Sequence, residues 1–333
     1  MVKKYIWREE QVKFKKSKII IIIVILSIFL VFFISNKNKE NNLKDNHLVV
    51  YSCLRAEETK SILELFKKQT GCSYEYIQLP TEEAVRRIED EKEDPKADLF
   101  LSGTSSSLIR LAKSKDIVNY IAQEDKNIAS ELKDPYGRWV AFEFHPFAIV
   151  INKDSNIDIP KSFEDLGDEK YKGKIIMPNP LTSGTGYSFI NYIYNKKEPK
   201  ESENLIKNIR SNADLLTTRG YNVVQNVASG EYPIGIAYLS NINLMKRTVS
   251  NIEAVVPKDT GIDIHGVGII NKKNVSKASK AFVNFIISKD TQEELENISS
   301  AIPAIKYSEY NNIYKFKILD DSPEGIDIWK RIK

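Results

Sequence analysis

Three stretches of small and hydroxyl-bearing residues stand where a strand should give way to a helix. They are Ser52-Cys53, GTSSS at Gly103 to Ser107, and NPLTSGTGY at Asn179 to Tyr187. Small residues let a backbone approach a ligand closely. Free N–H groups and hydroxyls can then donate to an anion, helped by the positive end of the helix that follows. The same residue types are also plain helix caps, and both readings stand for Thr104, Ser105, Ser183, Gly184 and Thr185. Arg219, in TTRGYN, could close bidentate bonds on an anion or simply pair with a carboxylate at the surface. His145, beside Pro146, is a candidate cleft donor, with a buried structural role as the alternative. Two such segments facing one another across a cleft would clamp a small anion.

Catalytic patterns are missing from the same chain. Its histidines are His47, His145 and His265, which do not form an HExxH zinc motif. No GxSxG elbow, CxxC pair or GxxxxGK[ST] phosphate loop occurs. The 45 acidic residues are too many for a chance carboxylate pairing to mean anything. The expectation is a binding protein, not an enzyme, with no resident metal and no cofactor. The net charge is only +4, and seven basic residues precede residue 19, so the remainder is close to neutral and carries no nucleic-acid footprint.

The elements that must position these residues follow from pattern. A chain of 333 residues with 42% hydrophobic content is long for one core and comfortable for two. Strands are expected at Leu48 to Ser52, Ser73 to Leu79 and Ala97 to Gly103, and helices at Glu57 to Gln69, from Thr81 (as a cap) and from Ser105 to Lys113. Alternation at this spacing gives a mainly parallel sheet with helices on both faces, which binds ligands beyond the carboxyl ends of its strands. Trp139 to Asn152 reads as two strands around Pro146. Further on, strands are expected at Lys174 to Met177, Gly235 to Leu239, Ile252 to Val256 and 266 to 271, with helices at Ser183 to Tyr194 and Lys277 to Ser288. Cys53 ends one strand and Cys72 begins its parallel neighbour, so the pair is expected as free thiols at opposite edges of the sheet.

Ahead of this lies IIIIIVILSIFLVFFI, Ile19 to Ile34, with a basic flank before it. Its length reaches the short end of a spanning helix, and the flank places the rest of the chain outside. Phe33 stands where a cleavage site wants a small residue, and no cysteine follows for lipidation. The reading is a cytoplasmic segment 1–18, an uncleaved single-pass signal anchor 19–35 and a polar tether 36–46.

From residue 46 onward the order of segments resembles the bacterial solute-binding proteins of ABC-type transporters, in the group that takes ferric iron, aminoethylphosphonate, and phosphoglycerate or sugar phosphates. The matching pieces include LVVYS (48–52), KADLFLSGTSSSL (96–108), DLGDEKYKGKIIMPNP (165–180), SGTGY (183–187) and SGEYPIGIAY (229–238). The resemblance implies an α/β, two-lobed, class II periplasmic-binding-protein fold with the ligand cleft between lobes. Lobe one would be 47–149 plus 257–333, and lobe two 150–256. It also implies ligand contacts at Ser52, Cys53, Thr104, Ser105, Ser183, Gly184, Thr185, Arg219, Tyr221 and Asn222. His145 and Tyr238 complete the candidate set. Members close over a solute and present it to an ABC permease or a sensor kinase, commonly as monomers. Iron binders of the group use paired tyrosines, whereas Tyr187, Tyr221 and Tyr238 are single here. The expected solute is therefore a small phosphorylated or phosphonate anion, with ferric iron as the alternative.

Overall fold

The computed structural model describes residues 42–314, 317–318 and 323–332. The expected anchor at 19–35 lies outside the described residues, as does the cytoplasmic segment. No helix among the described residues is long and apolar enough to cross a membrane. The tether expected to run to residue 46 is already folded at Leu43, which is buried in the first core and whose N–H bonds the Thr70 carbonyl.

The strands are β1 (His47–Ser52), β2 (Ser73–Gln78), β3 (Leu99–Gly103), β4 (Trp139–Asn152), β5 (Ile175–Pro178), β6 (Ala213–Thr217), β7 (Ile234–Tyr238), β8 (Ile252–Val255) and β9 (Gly261–Ile269). Those that carry the site run in the order β2-β1-β3-β9-β4-β7-β5-β6. Helices α1 (Ala56–Thr70), α2 (Thr81–Asp90) and α3 (Ser105–Lys113) follow β1, β2 and β3; α4 (Gly184–Lys196) follows β5, with α5 (Pro199–Asn212) after it. Helix α6 (Gly220–Ala228) follows β6, and α7 (Leu239–Met245) follows β7. Further along are α8 (Lys277–Ile286), α9 (Lys289–Ser299), α10 (Tyr307–Tyr314) and α11 (Pro323–Arg331).

Pro146 does not split the long apolar stretch. β4 is one strand of 14 residues, buried throughout. Its first half pairs antiparallel with β9 as far as Pro146↔Ile262, and from Phe147 it pairs with β7. Proline, which cannot donate to a ladder, therefore sits where the strand changes partners. The hydrophobic cores divide at the same point. One holds Phe144 with Phe66, Phe282 and Phe285, and another holds Phe147 with Phe163, Phe189 and Tyr192. A third, on the opposite face of the second lobe, holds Val150, Val223 and Ile236's neighbour Ala237. The lobe boundary thus falls at 146/147 and not at 149/150.

A second correction concerns the C-terminus. Ile326, Ile328 and Trp329 of α11 pack in the second core beside α4 and α5, not in the first lobe to which 257–333 was assigned. An amphipathic stripe shows that a helix is buried on one side without showing which core receives it. The segment read as one helix from Lys277 to Ser288 ends at Ile286, and Ser288 caps the next helix through the Thr291 N–H. Both cysteines are free, Cys72 buried and Cys53 half-buried.

Candidate functional site

At the end of β3 the chain turns through Ser102, which is buried and adopts φ 69°. The β3–β9 register shifts there, a bulge that carries Gly103 and Thr104 away from the sheet. Thr104 then caps α3, its hydroxyl accepting from the Ser107 N–H, and Ser183 likewise caps α4 through the Gly186 N–H. The plain-cap reading is thus true of both hydroxyls. The other two helix starts at this place differ. Neither α2, which follows Pro80, nor α6, which follows Arg219, has a side-chain cap. Thr81, expected as a cap, is instead the first residue of its helix. In the first turn of α2 the Glu83 N–H returns to the Pro80 carbonyl, which leaves the N–H groups of Thr81 and Glu82, with those that open α6, to whatever occupies the space in front of them.

That space is a cavity between the lobes, about 330 Å³ counting the part open to solvent. From lobe one it is lined by Cys53, Pro80, Thr81, Thr104 and His265. From lobe two come Ser183, Gly184, Thr185, Thr218, Arg219, Gly220 and Tyr238. No aspartate or glutamate is among them. The lobes touch here: a Cβ on Gly184 would lie 2.6 Å from Thr104 Cγ2 and 2.7 Å from Thr81 Oγ1. A Cβ on Gly220 would lie 2.6 Å from Thr185 Oγ1, which fixes α4 against α6.

Arg219 is half-buried, and among the described residues no carboxylate is recorded in an ion pair with it. Its charge reaches Cys53, but burial dominates there and pushes that thiol up to about 12. Tyr238 donates to Asp263 Oδ2 at 2.7 Å, and burial together with that carboxylate raises its phenol well above the usual range.

Of the sequence candidates, Cys53, Thr104, Ser183, Gly184, Thr185, Arg219 and Tyr238 are brought together in the cavity. The others are placed elsewhere. Ser52 is fully buried, its hydroxyl 2.8 Å from that of Thr59. Ser105 gives its N–H and hydroxyl to Asp263 Oδ1. His145 lies behind Tyr238, stacked on its ring with centroids 4.8 Å apart, and bonds Ser240 through Nδ1. Tyr221 sits under the Arg55 guanidinium, 5.0 Å away, in a contact between lobes. Asn222 donates to Gln225 along its own helix.

Sequence reasoning missed Pro80, Thr81, Thr218, Gly220 and His265. The signal for Thr81 was present, because the turn after β2 ends at the same edge as the turns after β1 and β3. His265 stands opposite Glu143 in the β4–β9 ladder, its Nδ1 2.7 Å from Glu143 Oε1. Glu143, His145, Asp263 and His265 share one face of that ribbon, since EFH (143–145) and DIH (263–265) each alternate with period two. Burial opposes the charge on Glu143, but the adjacent imidazoles of His145 and His265 outweigh it and hold the carboxyl well below its usual range. The same bond and charge raise His265 against its burial, while burial and the neighbouring His265 bring His145 down to about 4.

A two-lobed α/β chain with a cavity between its lobes is a solute-binding architecture. The chain belongs to the bacterial extracellular solute-binding protein family, whose model matches residues 94–325. It is 27% identical over 261 residues to an uncharacterized protein of Haemophilus influenzae, covering 74% of each chain. It is 21% identical to iron uptake protein A1 of Synechocystis, covering 77% of this chain and 75% of that one. In fold it is similar to the periplasmic binding protein AfuA from Actinobacillus pleuropneumoniae with fructose-6-phosphate bound. The TM-score there is 0.78 at 24% identity, over 86% of this chain and 96% of the other.

Proposed function

We propose that the cleft binds a small organic anion carrying a phosphate or phosphonate group, and that the chain captures it outside the cell for an ABC permease or a membrane sensor. The observation that carries this reading is the lining itself. Two helix starts without side-chain caps converge with Arg219, and no carboxylate shares the cavity. A phosphoryl group would accept from the first-turn N–H groups of α2 and α6 and from the guanidinium together. The bound sugar phosphate of the similar AfuA structure supports the same class of ligand. The apolar run at 19–34 with its basic flank would keep the chain, as a monomer, at the outer face of the membrane.

Calorimetric titration of the full-length chain with fructose-6-phosphate, 2-aminoethylphosphonate and unphosphorylated fructose tests this. Binding of a phosphorylated or phosphonate compound with none of fructose is expected. Equal binding of fructose would overturn it. Ferric iron is the second reading, favoured by the iron uptake relative. Against it, Tyr238 is the one tyrosine among the described residues that lines the cavity, and its phenol already donates to Asp263. Hard Fe(III) favours several anionic oxygen ligands. Ferric citrate should therefore give no visible charge-transfer colour.

A further inference from the structure

We propose that Glu143, His145 and His265 form a binding site for one divalent cation of borderline softness, such as Zn2+, in the ribbon that joins the two lobes. The ligand atoms offered by the three residues lie within 4.8 Å of one another. Glu143 Oε1 is central, 2.7 Å from His265 Nδ1 and 3.4 Å from His145 Nε2. Two imidazole nitrogens and a carboxylate oxygen suit Zn2+ or its first-row neighbours far better than Mg2+ or Ca2+.

A second observation points to a ligand independently of the clustering. His145 is 2% exposed, and its Nε2 makes no hydrogen bond of good geometry, Glu143 Oε1 standing 3.4 Å from it. An unpaired buried polar nitrogen is costly, and a cation at this point would satisfy it. The groups behind the three ligands are arranged as outer-shell partners usually are. Ser240 holds His145 Nδ1 at 2.8 Å and so directs Nε2 inward, and Ser299 holds Glu143 Oε2 at 2.8 Å, so that Oε1 is the oxygen turned toward both imidazoles. Asp263, the fourth member of the same ribbon face, is fully engaged by Ser105, Ile264 and Tyr238 and is not a ligand. Glu58 Oε1, beside the cluster, is also buried without a partner. His265 also lines the cavity, which gives a cation a way in.

The site adjoins the cavity described above through His265, and its test does not require the solute. The full-length chain, stripped with chelator, is titrated with Zn2+ against a chromophoric competitor, and the loaded protein is examined by X-ray absorption. One site is expected, with nitrogen and oxygen scatterers at about 2.0–2.2 Å. His145→Gln should weaken binding at least ~100-fold. His47→Gln should leave it unchanged, because His47 is exposed beside Glu75 and is the obvious adventitious site. Absence of a site in the wild type, or a site lost with His47→Gln, overturns the proposal. Should His145→Gln not fold, the absorption spectrum of the wild type decides: a coordination shell without two imidazoles contradicts the assignment.

Discussion

Gly184, the first residue of α4, lies against Thr104 so closely that a Cβ on it would come 2.6 Å from Thr104 Cγ2. The two residues belong to different lobes, and Thr104 cannot turn aside without breaking its cap to Ser107. The contact leaves no room for a methyl group at position 184, where the lobes meet. Gly184→Ala should leave the isolated lobes as stable as before, within about 0.5 kcal/mol, since alanine suits a helix start. It should weaken solute binding by at least ~10-fold and reduce the compaction seen by small-angle scattering on adding ligand. Unaltered affinity would mean that the lobes do not meet at this point in the bound state.

Among the described residues the Arg219 guanidinium has no hydrogen-bond or ion-pair partner to lose. Arg219→Met is therefore expected to keep the wild-type Tm while binding falls by ~10–100-fold, the range for hydrogen bonds to a charged group. Arg219→Lys should recover only part of it, because an ammonium cannot make the planar two-point contact. Calorimetric Kd values for the two variants check this.

Cys53 reports on the cleft. Burial holds its thiol up at about 12, so little thiolate exists near neutrality. Alkylation at pH 8 should be slow, and saturating solute should slow it further. Cys72, buried against the first core, should not react before unfolding. Mass spectrometry of iodoacetamide-treated protein reads both positions.

Acid sensitivity is expected at the Asp134–Arg138 pair in lobe one. Burial opposes the Asp134 charge, but bonds from the Arg138 side chain and from the Arg138 and Tyr136 N–H groups prevail and lower its pKa. The folded carboxyl thus titrates below its unfolded value of about 3.9, so its contribution is complete above that pH and is lost as pH falls through the folded pKa. Asp134→Asn should cost about 1–3 kcal/mol at pH 7. The gap to wild type should narrow below about pH 4 in urea denaturation curves.

Ser102 holds a left-handed φ and a buried hydroxyl without a partner. Ser102→Gly removes both penalties at some cost in chain entropy. A net gain of about 1 kcal/mol is expected, read as a Tm rise of about 2–4 °C.

Much of this arrangement is legible in the sequence, for a physical reason. Strand-to-helix turns carry their own residue signature, so Cys53, Thr104 and the Ser183–Thr185 segment could be placed at one sheet edge from alternation alone. Ser52 and Ser105 share that signature but face inward, which hydroxyl type cannot reveal. Pro146 suggested a break because proline cannot donate to a ladder; only the change of partners at Phe147 shows why it is tolerated. The Glu143–His265 pair needed the register of β4 against β9, a relation between segments over a hundred residues apart. The same is true of Tyr238 and Asp263.

The most direct test of an anion-binding cleft is native mass spectrometry of the full-length wild type and of Arg219→Met, each purified without added ligand from the same host and then denatured to identify what is released. The wild type is expected to release a phosphate- or phosphonate-bearing small molecule that the variant has lost. Ferric iron released by both proteins, or a neutral solute retained by both, would contradict the account.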